Sequence, residues 1–220
     1  MRALVISGGG SKGAFAGGVA QYLMEVEKRK YDIFVGTSTG GLLIPHLATD
    51  NLGKLHDIYT NVNSLSIFSL NPFIVRKKGD RKYVSINFFT TFLQFLKGKR
   101  TFGESKALRR PIQEAIRRGA KVVDAVILES ENMDRNKVLG KNPFSLMLSI
   151  YGFVLDQIEF HDISEGILAA KHNGVELNLY YTPTKLTENS LVFNKKLMKQ
   201  WWLQGFEYAQ NKAYDSNRDK

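Results

Sequence analysis

The chain alternates short apolar runs with longer segments of helical spacing. An apolar run from Arg2 to Ser7 leads into a glycine cluster and then a helix-like segment from about Ala14 to Lys28. The order repeats with an apolar run from Tyr31 to Val35 and a helix-compatible segment from Thr39 to Thr49. Apolar runs without polar alternation are typical of parallel strands that are buried on both faces. The pattern therefore predicts an α/β fold with a mostly parallel central sheet between layers of helices.

Later segments continue this alternation. Two more strands are predicted at Lys121–Leu128 and Val175–Tyr181, and helices over Pro143–Phe160 and Asn194–Asn211. No internal repeat or low-complexity tract interrupts the 220 residues. Because 43% of the residues are hydrophobic, the chain can bury one sizeable core, and we predict a single domain over residues 1–220.

The composition excludes several classes of protein. The absence of cysteine rules out a disulfide scaffold, a thiolate metal site and a cysteine nucleophile, and a cytoplasmic location is the simplest expectation. The N-terminal apolar run is too short for an export signal and is predicted as the first strand. No stretch approaches about 18 consecutive apolar residues, so any membrane contact is expected to be peripheral.

Positive charge is concentrated in one part of the chain, whose formal net charge is +10. Residues 73–110 carry a local charge of +9, from eleven basic and two acidic residues. Aromatic residues are interleaved over residues 68–110, here called the basic segment, and Asn87–Lys97 has the spacing of a short helix. The basic segment fits a cap over a site, a surface for anionic lipid headgroups, a nucleic-acid patch, or an ordinary packed helix with solvated lysines.

A candidate nucleophile follows the second strand. Residues 36–40 read G-T-S-T-G, a G-x-S-x-G motif between an apolar run and a helix-compatible segment. A sharp strand-to-helix turn holds a serine hydroxyl clear of the backbone, and the glycines at Gly36 and Gly40 remove side chains that would clash in the bend. We therefore predict that Ser38 is displayed as a nucleophile.

A second glycine cluster, Gly8–Gly13, lies between the first strand and the first helix. A dinucleotide fingerprint would need an acid at the end of the second strand, yet Asp32 lies near its start. A phosphate-binding P-loop would need Lys and then Ser or Thr after the last glycine, where the chain has Ala14. An oxyanion hole needs only free amides at a helix N-terminus beside the nucleophile, provided that the first two strands are neighbours.

These motifs resemble those of patatin-like phospholipases, particularly bacterial members. The resemblance rests on SGGGSKG after the first strand, GTSTGG after the second, their short spacing, and the segment LLIPHLA that follows. It continues in TFGESKALR, in PIQEAIRRGAKVVDAVIL and in the tryptophan-bearing MKQWWLQGFEYAQ, and so covers most of the chain.

The resemblance implies a three-layer sandwich and a serine acyl hydrolase that acts on glycerophospholipids or related lipid esters. A Ser-Asp dyad performs the reaction in the family, with no histidine base, cofactor or metal. Ser38 would attack the ester, and the amides around Gly9, Gly10 and Ser11 would bind the oxyanion. Lys12 would add positive charge near that anion or near a headgroup phosphate, unless it is an ordinary solvated lysine. The glycines of the two motifs are Gly8, Gly13, Gly36 and Gly40.

The chain departs from the family pattern at the expected aspartate. Family members carry it in an Asp-Gly-Gly or Asp-Gly-Ala turn before the segment that begins here at Pro111, and this chain has no Asp-Gly pair. The segment from Glu104 to Arg110 reads as a helix that would place Pro111 inside it, at a cost of about 3 kcal/mol. We therefore expect that an internal segment is missing between Arg110 and Pro111.

Other residues are poor candidates for the base. We expect His46 to point away from Ser38, and the remaining histidines show no metal-ligand spacing. Asp124 and Glu129, in and after a predicted strand, are weak alternatives. Two other functions stay open: a non-catalytic lipid- or membrane-binding protein that lacks the aspartate, and a nucleic-acid-binding module built on the basic segment. Peripheral contact with an anionic membrane is expected, and nucleic acid is not the expected partner.

Overall fold

The computed structural model describes residues 1–62, 73–78, 81–86, 111–130, 160–187, 190 and 193–218. The strands are β1 Arg2–Ile6, β2 Ile33–Gly36, β3 Phe73–Lys78, β4 Arg81–Ile86, β5 Val122–Ser130 and β6 Glu176–Thr182. The helices are α1 Gly13–Gln21, α2 Thr39–Ala48, α3 Leu52–Asn61, α4 Pro111–Arg117, α5 at residues 160–172 and α6 Lys195–Arg218. A 3-10 turn, Gly10–Lys12, precedes α1, and a π-helical turn, Tyr22–Val26, follows it.

Within the described ranges, four strands form a central sheet in the order β2-β1-β5-β6, and every neighbouring pair is parallel. Ala3 of β1 pairs with Ile33 on one side and Val123 on the other. β1 and β2 are therefore neighbours, so the loops that follow them meet at the carboxyl edge of the sheet. β3 and β4 form a separate antiparallel hairpin within the basic segment.

Each face of the sheet has its own hydrophobic core. On one face, Leu4, Ile6, Val126 and Leu128 are buried with apolar residues of α1, α2, α3 and α6. On the other face, residues that alternate with these along β1 and β5 are buried with apolar residues of α4 and α5. The period of two along a strand places successive side chains on opposite faces. The fold is therefore a three-layer α/β sandwich, as the sequence predicts.

The first helix packs closely against the last. A Cβ at Gly18 would lie 1.9 Å from the carbonyl oxygen of Trp202, and one at Gly17 would lie 2.1 Å from its ring. Trp202 also donates its indole N–H to Gln21 at 2.8 Å. Two adjacent glycines thus let α1 and α6 approach closely over the face of the sheet that carries Leu4 and Ile6.

Most of the predicted elements are confirmed, with shifted ends. β1, β2, β5 and β6 and the helices after the two glycine motifs are present, and the last helix reaches Arg218 rather than Asn211. Residues 143–159 of one predicted helix and all of Asn87–Lys97 lie outside the described residues, as does Arg110 at the expected junction. The patterns did not predict α3, α5 or the β3–β4 hairpin. The single domain, the cap-like role of the basic segment and the missing segment stay predictions.

Candidate active site

Ser38 lies on a strained turn between β2 and α2. Its backbone angles are φ 49° and ψ −118°, outside the regions that L-residues favour. Its neighbours Thr37 and Thr39 are buried, whereas Ser38 is exposed and its hydroxyl has no hydrogen bond to any described residue. Such strain costs on the order of 1–3 kcal/mol and is common at functional sites. The turn thus presents a free hydroxyl at the carboxyl edge of the sheet.

The motif glycines allow three backbone segments to converge on this turn. A Cβ at Gly36 would lie 2.5 Å from the carbonyl carbon of Gly40, and one at Gly40 would lie 2.3 Å from the carbonyl oxygen of Ile6. A Cβ at Gly8 would lie 3.1 Å from that of Ser38. The glycine cluster after β1 is therefore directly beside Ser38, as the predicted adjacency of the two motifs requires.

Thr39 ties the serine turn to α3. Its hydroxyl is 2.8 Å from the hydroxyl of Tyr59, and both residues are buried. Burial raises the pKa of Tyr59, so its hydroxyl remains protonated and able to hydrogen-bond. A Cβ at Gly13 would lie 2.7 Å from the Thr39 hydroxyl oxygen, so Gly13 leaves room for this contact at the start of α1.

The amides of the glycine cluster differ in their partners. The Ser11 N–H donates to the Ser190 carbonyl oxygen at 2.7 Å, and a Cβ at Gly10 would lie 2.2 Å from the same oxygen. Within the described part of the chain, the amides of Gly9 and Gly10 donate to no acceptor. The Ser11 hydroxyl is fully buried and has no described partner. Two amides of the glycine cluster, close to the positive end of α1, thus have no described hydrogen-bond acceptor.

Lys12 is not a solvated lysine, the alternative left open by the sequence. It is 6% exposed, and its ammonium group forms an ion pair with the carboxylate of Glu129. Glu129 follows Leu128 near the carboxyl end of β5, and a Cβ at Gly9 would lie 2.7 Å from the Leu128 Cβ. The ion pair therefore lies at the same edge of the sheet as the glycine cluster.

The structure places Asp124 away from Ser38. Its carboxylate is fully buried and accepts hydrogen bonds from Arg29 and Tyr31, each at 2.7 Å, and from Asn178 at 3.0 Å. Asp124 pairs with Leu4, which lies on the level of Phe34, so Ser38 is on the order of 10 Å farther along the strand direction. Asp124 is therefore a structural carboxylate and not the base.

Tyrosines around Asp124 show how strongly this part of the core resists ionisation. Burial, and after it the Asp124 carboxylate, raises the pKa of Tyr31. Burial also raises the pKa of Tyr180 to about 12, despite the opposing effect of nearby Arg29. Both hydroxyls therefore stay protonated at neutral pH.

The histidines lie elsewhere. His46 is eight residues beyond Ser38 along α2, about 12 Å along the helix axis, as expected. The His56 ring meets the Trp202 ring edge-on, with ring centroids 4.9 Å apart. On α5, His161 Nε2 lies 3.0 Å from a carboxylate oxygen of Glu165. His172 is exposed near the end of α5. None of these histidines is hydrogen-bonded to Ser38.

Two further properties concern only the described residues. No group of three or more His, Cys, Asp or Glu side chains there is arranged to hold a metal ion. No helix among them is long and apolar enough to cross a membrane.

The fold is a parallel α/β sandwich, and a strained serine turn lies beside a glycine-rich helix start at the carboxyl edge of its sheet. These features together define the class of α/β protein to which the chain belongs. The family model for patatin-like phospholipases matches residues 4–201. No curated protein matches the chain. The chain belongs to the patatin-like phospholipase family, a family of lipid acyl hydrolases.

Three features of this site were missed by sequence reasoning. They are the hydrogen bond between the hydroxyls of Tyr59 and Thr39, the hydrogen bond from the Ser11 amide to the Ser190 carbonyl, and the ion pair between Glu129 and Lys12. Glu129 had one usable signal, its place at the carboxyl end of a buried parallel strand. Tyr59 and Ser190 had none, because tyrosines and connector serines occur throughout the chain.

Proposed function

We propose that this protein is a serine-dependent lipid acyl hydrolase with phospholipase A-type activity on glycerophospholipid esters. The observation that carries the proposal is the exposed, strained Ser38 beside the unoccupied amides of Gly9 and Gly10. The chain's membership of the patatin-like family supports lipid esters as the substrate class. The proposal includes neither a cofactor nor a metal.

The proposed reaction has two stages. The Ser38 oxygen attacks the ester carbonyl carbon while its proton passes to a base, and the Gly9 and Gly10 amides stabilise the resulting oxyanion. Collapse of this intermediate expels the alcohol with a proton and leaves an acyl-enzyme. Water then attacks the acyl group and releases the fatty acid. Ser11 is a weaker oxyanion donor than its neighbours because its amide already binds Ser190.

Ser38 is expected to be the serine that reacts covalently with an alkyl fluorophosphonate, because such probes use the same oxyanion site as an ester. Ser38→Ala should abolish the labelling, whereas Ser164→Ala should leave it intact, since the Ser164 hydroxyl already donates to the Phe160 carbonyl at 2.9 Å. Peptide mass spectrometry locates the label. Labelling of Ser38→Ala at the parental rate would show that the nucleophile is another residue.

A second function, lipid binding without catalysis, is favoured by one observation. No carboxylate or imidazole among the described residues is hydrogen-bonded to Ser38, and Glu129 is engaged by Lys12. A protein with the serine turn but no base would retain the lipid site without turnover. Labelling of Ser38 without hydrolysis of any lipid ester would support this second function.

We also propose that the basic segment contacts anionic membranes. Arg76, Lys77 and Lys78 end β3, and Lys77 and Lys78 lie opposite Lys82 and Arg81 in the hairpin. Five of the twelve residues in these two strands are basic, so an anionic lipid surface would neutralise a dense positive charge. A lipid surface fits a family of lipid hydrolases better than nucleic acid does.

Charge reversal at Arg76, Lys77 and Lys78 to Glu should release the protein from anionic vesicles, because each basic residue at the surface contributes about 1 kcal/mol at low salt. Flotation with phosphatidylserine vesicles over a salt series measures this, and raising the salt should also release the parent. The matched control reverses Lys30, Lys121 and Lys171, which are exposed and precede β2, β5 and β6, at the amino-terminal edge of the central sheet. The proposal would be contradicted if the parent bound neutral vesicles as well as anionic vesicles, or if it bound DNA and no vesicles.

A further inference from the structure

The ion pair between Lys12 and Glu129 determines the charge beside the glycine cluster. The Lys12 side chain is 8% exposed, and that of Glu129 is 36% exposed. A lysine this deeply buried is costly without a counter-charge, and Glu129 supplies one. The pair is formally neutral, so its cation is already balanced before any substrate arrives.

This neutral pair lies close to the proposed reaction centre. Gly8 is in contact range of Ser38, and the next residue, Gly9, abuts Leu128, which immediately precedes Glu129. β2 and β5 are separated only by β1, so Gly36 and Val126, which both pair with Ile6, are about 10 Å apart. Ser38 follows Gly36 by two residues, and Glu129 follows Val126 by three. An anionic group beside a bound ester would therefore meet a lysine whose charge the Glu129 carboxylate already neutralises.

We propose that Glu129 is a specificity-determining residue, which makes the site favour esters of lipids without net charge, such as zwitterionic phospholipids, over esters of acidic phospholipids. This inference rests on the proposed function, because it names the substrate class of the same site. The proposal assigns two roles to charge: the basic segment binds an anionic surface, and the neutral Lys12–Glu129 pair favours a lipid substrate without net charge.

Protection of Ser38 from a neutral alkyl fluorophosphonate tests the inference without requiring turnover. Glycerol 3-phosphate is the added anion, and sodium chloride keeps the ionic strength constant. It should leave the labelling rate of the parent unchanged. In Glu129→Gln, where Lys12 lacks its counter-charge, it should protect Ser38 at a concentration about fivefold below any that protects the parent, the ratio expected of an ordinary ion pair.

Two variants assign the effect to Lys12. The double variant Lys12→Met/Glu129→Gln restores neutrality and should again be insensitive to glycerol 3-phosphate. Glu207→Gln removes an exposed carboxylate on α6 and should behave as the parent. Should Glu129→Gln not fold, Lys12→Met alone leaves Glu129 unpaired, and it should label about fivefold more slowly with a carboxylate-bearing fluorophosphonate than with the matched neutral probe.

The outcomes separate this inference from the proposed function. Ser38 labelling in the parent together with no added protection in Glu129→Gln would overturn the role of Glu129 alone. The role of Glu129 would also be overturned if glycerol 3-phosphate protected the parent as well as it protects Glu129→Gln. Protection that persists in the double variant would overturn it too. The absence of Ser38 labelling in every variant would overturn the proposed nucleophile, and the role of Glu129 with it.

Discussion

Asp124→Ala is expected to lower the free energy of unfolding by about 3–5 kcal/mol, the range for breaking a buried charge pair by removing one partner. Asp124 is fully buried on β5, and its carboxylate faces the guanidinium of Arg29 at 2.7 Å. Its removal leaves that cation, the Tyr31 hydroxyl and the Asn178 amide without their shared acceptor. Each unsatisfied buried group adds its desolvation penalty.

Urea denaturation measures this change, and Asp57→Ala is the matched control. The Asp57 carboxylate lies 3.7 Å from the His56 imidazole, but its side chain is 79% exposed, so its removal should change the stability by about 1 kcal/mol or less. A loss as small for Asp124→Ala as for Asp57→Ala would show that the remaining pair between Arg29 and Glu27 compensates for the missing carboxylate.

The serine turn and the glycine cluster could be predicted because each is a local feature. The turn needs only an apolar strand, glycines at Gly36 and Gly40, and a following helix, all within a short stretch. The parallel sheet was predicted for a similar reason, since its strands are unbroken apolar runs. The close contacts of Gly8 with Ser38 and of Gly40 with Ile6 follow once β1 and β2 are neighbours.

The ion pairs could not be predicted because they depend on the register between strands that are far apart in the sequence. Glu129 meets Lys12 across 117 residues, and Asp124 meets Arg29 across 95. The sequence showed Asp124 only as an acid that interrupts an apolar strand. β5 places Asp124 level with Leu4, within hydrogen-bond distance of Arg29, which follows the π-helical turn. The burial of Lys12 could not be predicted for the same reason, because its partner Glu129 lies on β5.

The second large effect concerns the general base, which none of the described residues supplies to Ser38 through a hydrogen bond. If Arg110 is joined directly to Pro111, ester hydrolysis by Ser38 should be about 10²–10⁴-fold slower than with a positioned general base. Asp124 is remote and saturated with hydrogen bonds, and Glu129 is paired with Lys12. Cleavage after glutamates tests the junction itself, since a contiguous chain releases peptide 105–114. A peptide of different mass that begins at Ser105 would show that residues intervene.

For the contiguous chain, an external base should replace part of the lost rate. Hydrolysis of p-nitrophenyl butyrate, corrected for the rate of Ser38→Ala, should rise in proportion to free imidazole at constant pH and ionic strength, because imidazole can accept the Ser38 proton. A site with its own positioned base would show no such dependence. Fast hydrolysis that is independent of imidazole and lost in Ser38→Ala would contradict the prediction. It would direct the search for the base to Glu129 and His161, where Glu129→Gln and His161→Asn would separate the two.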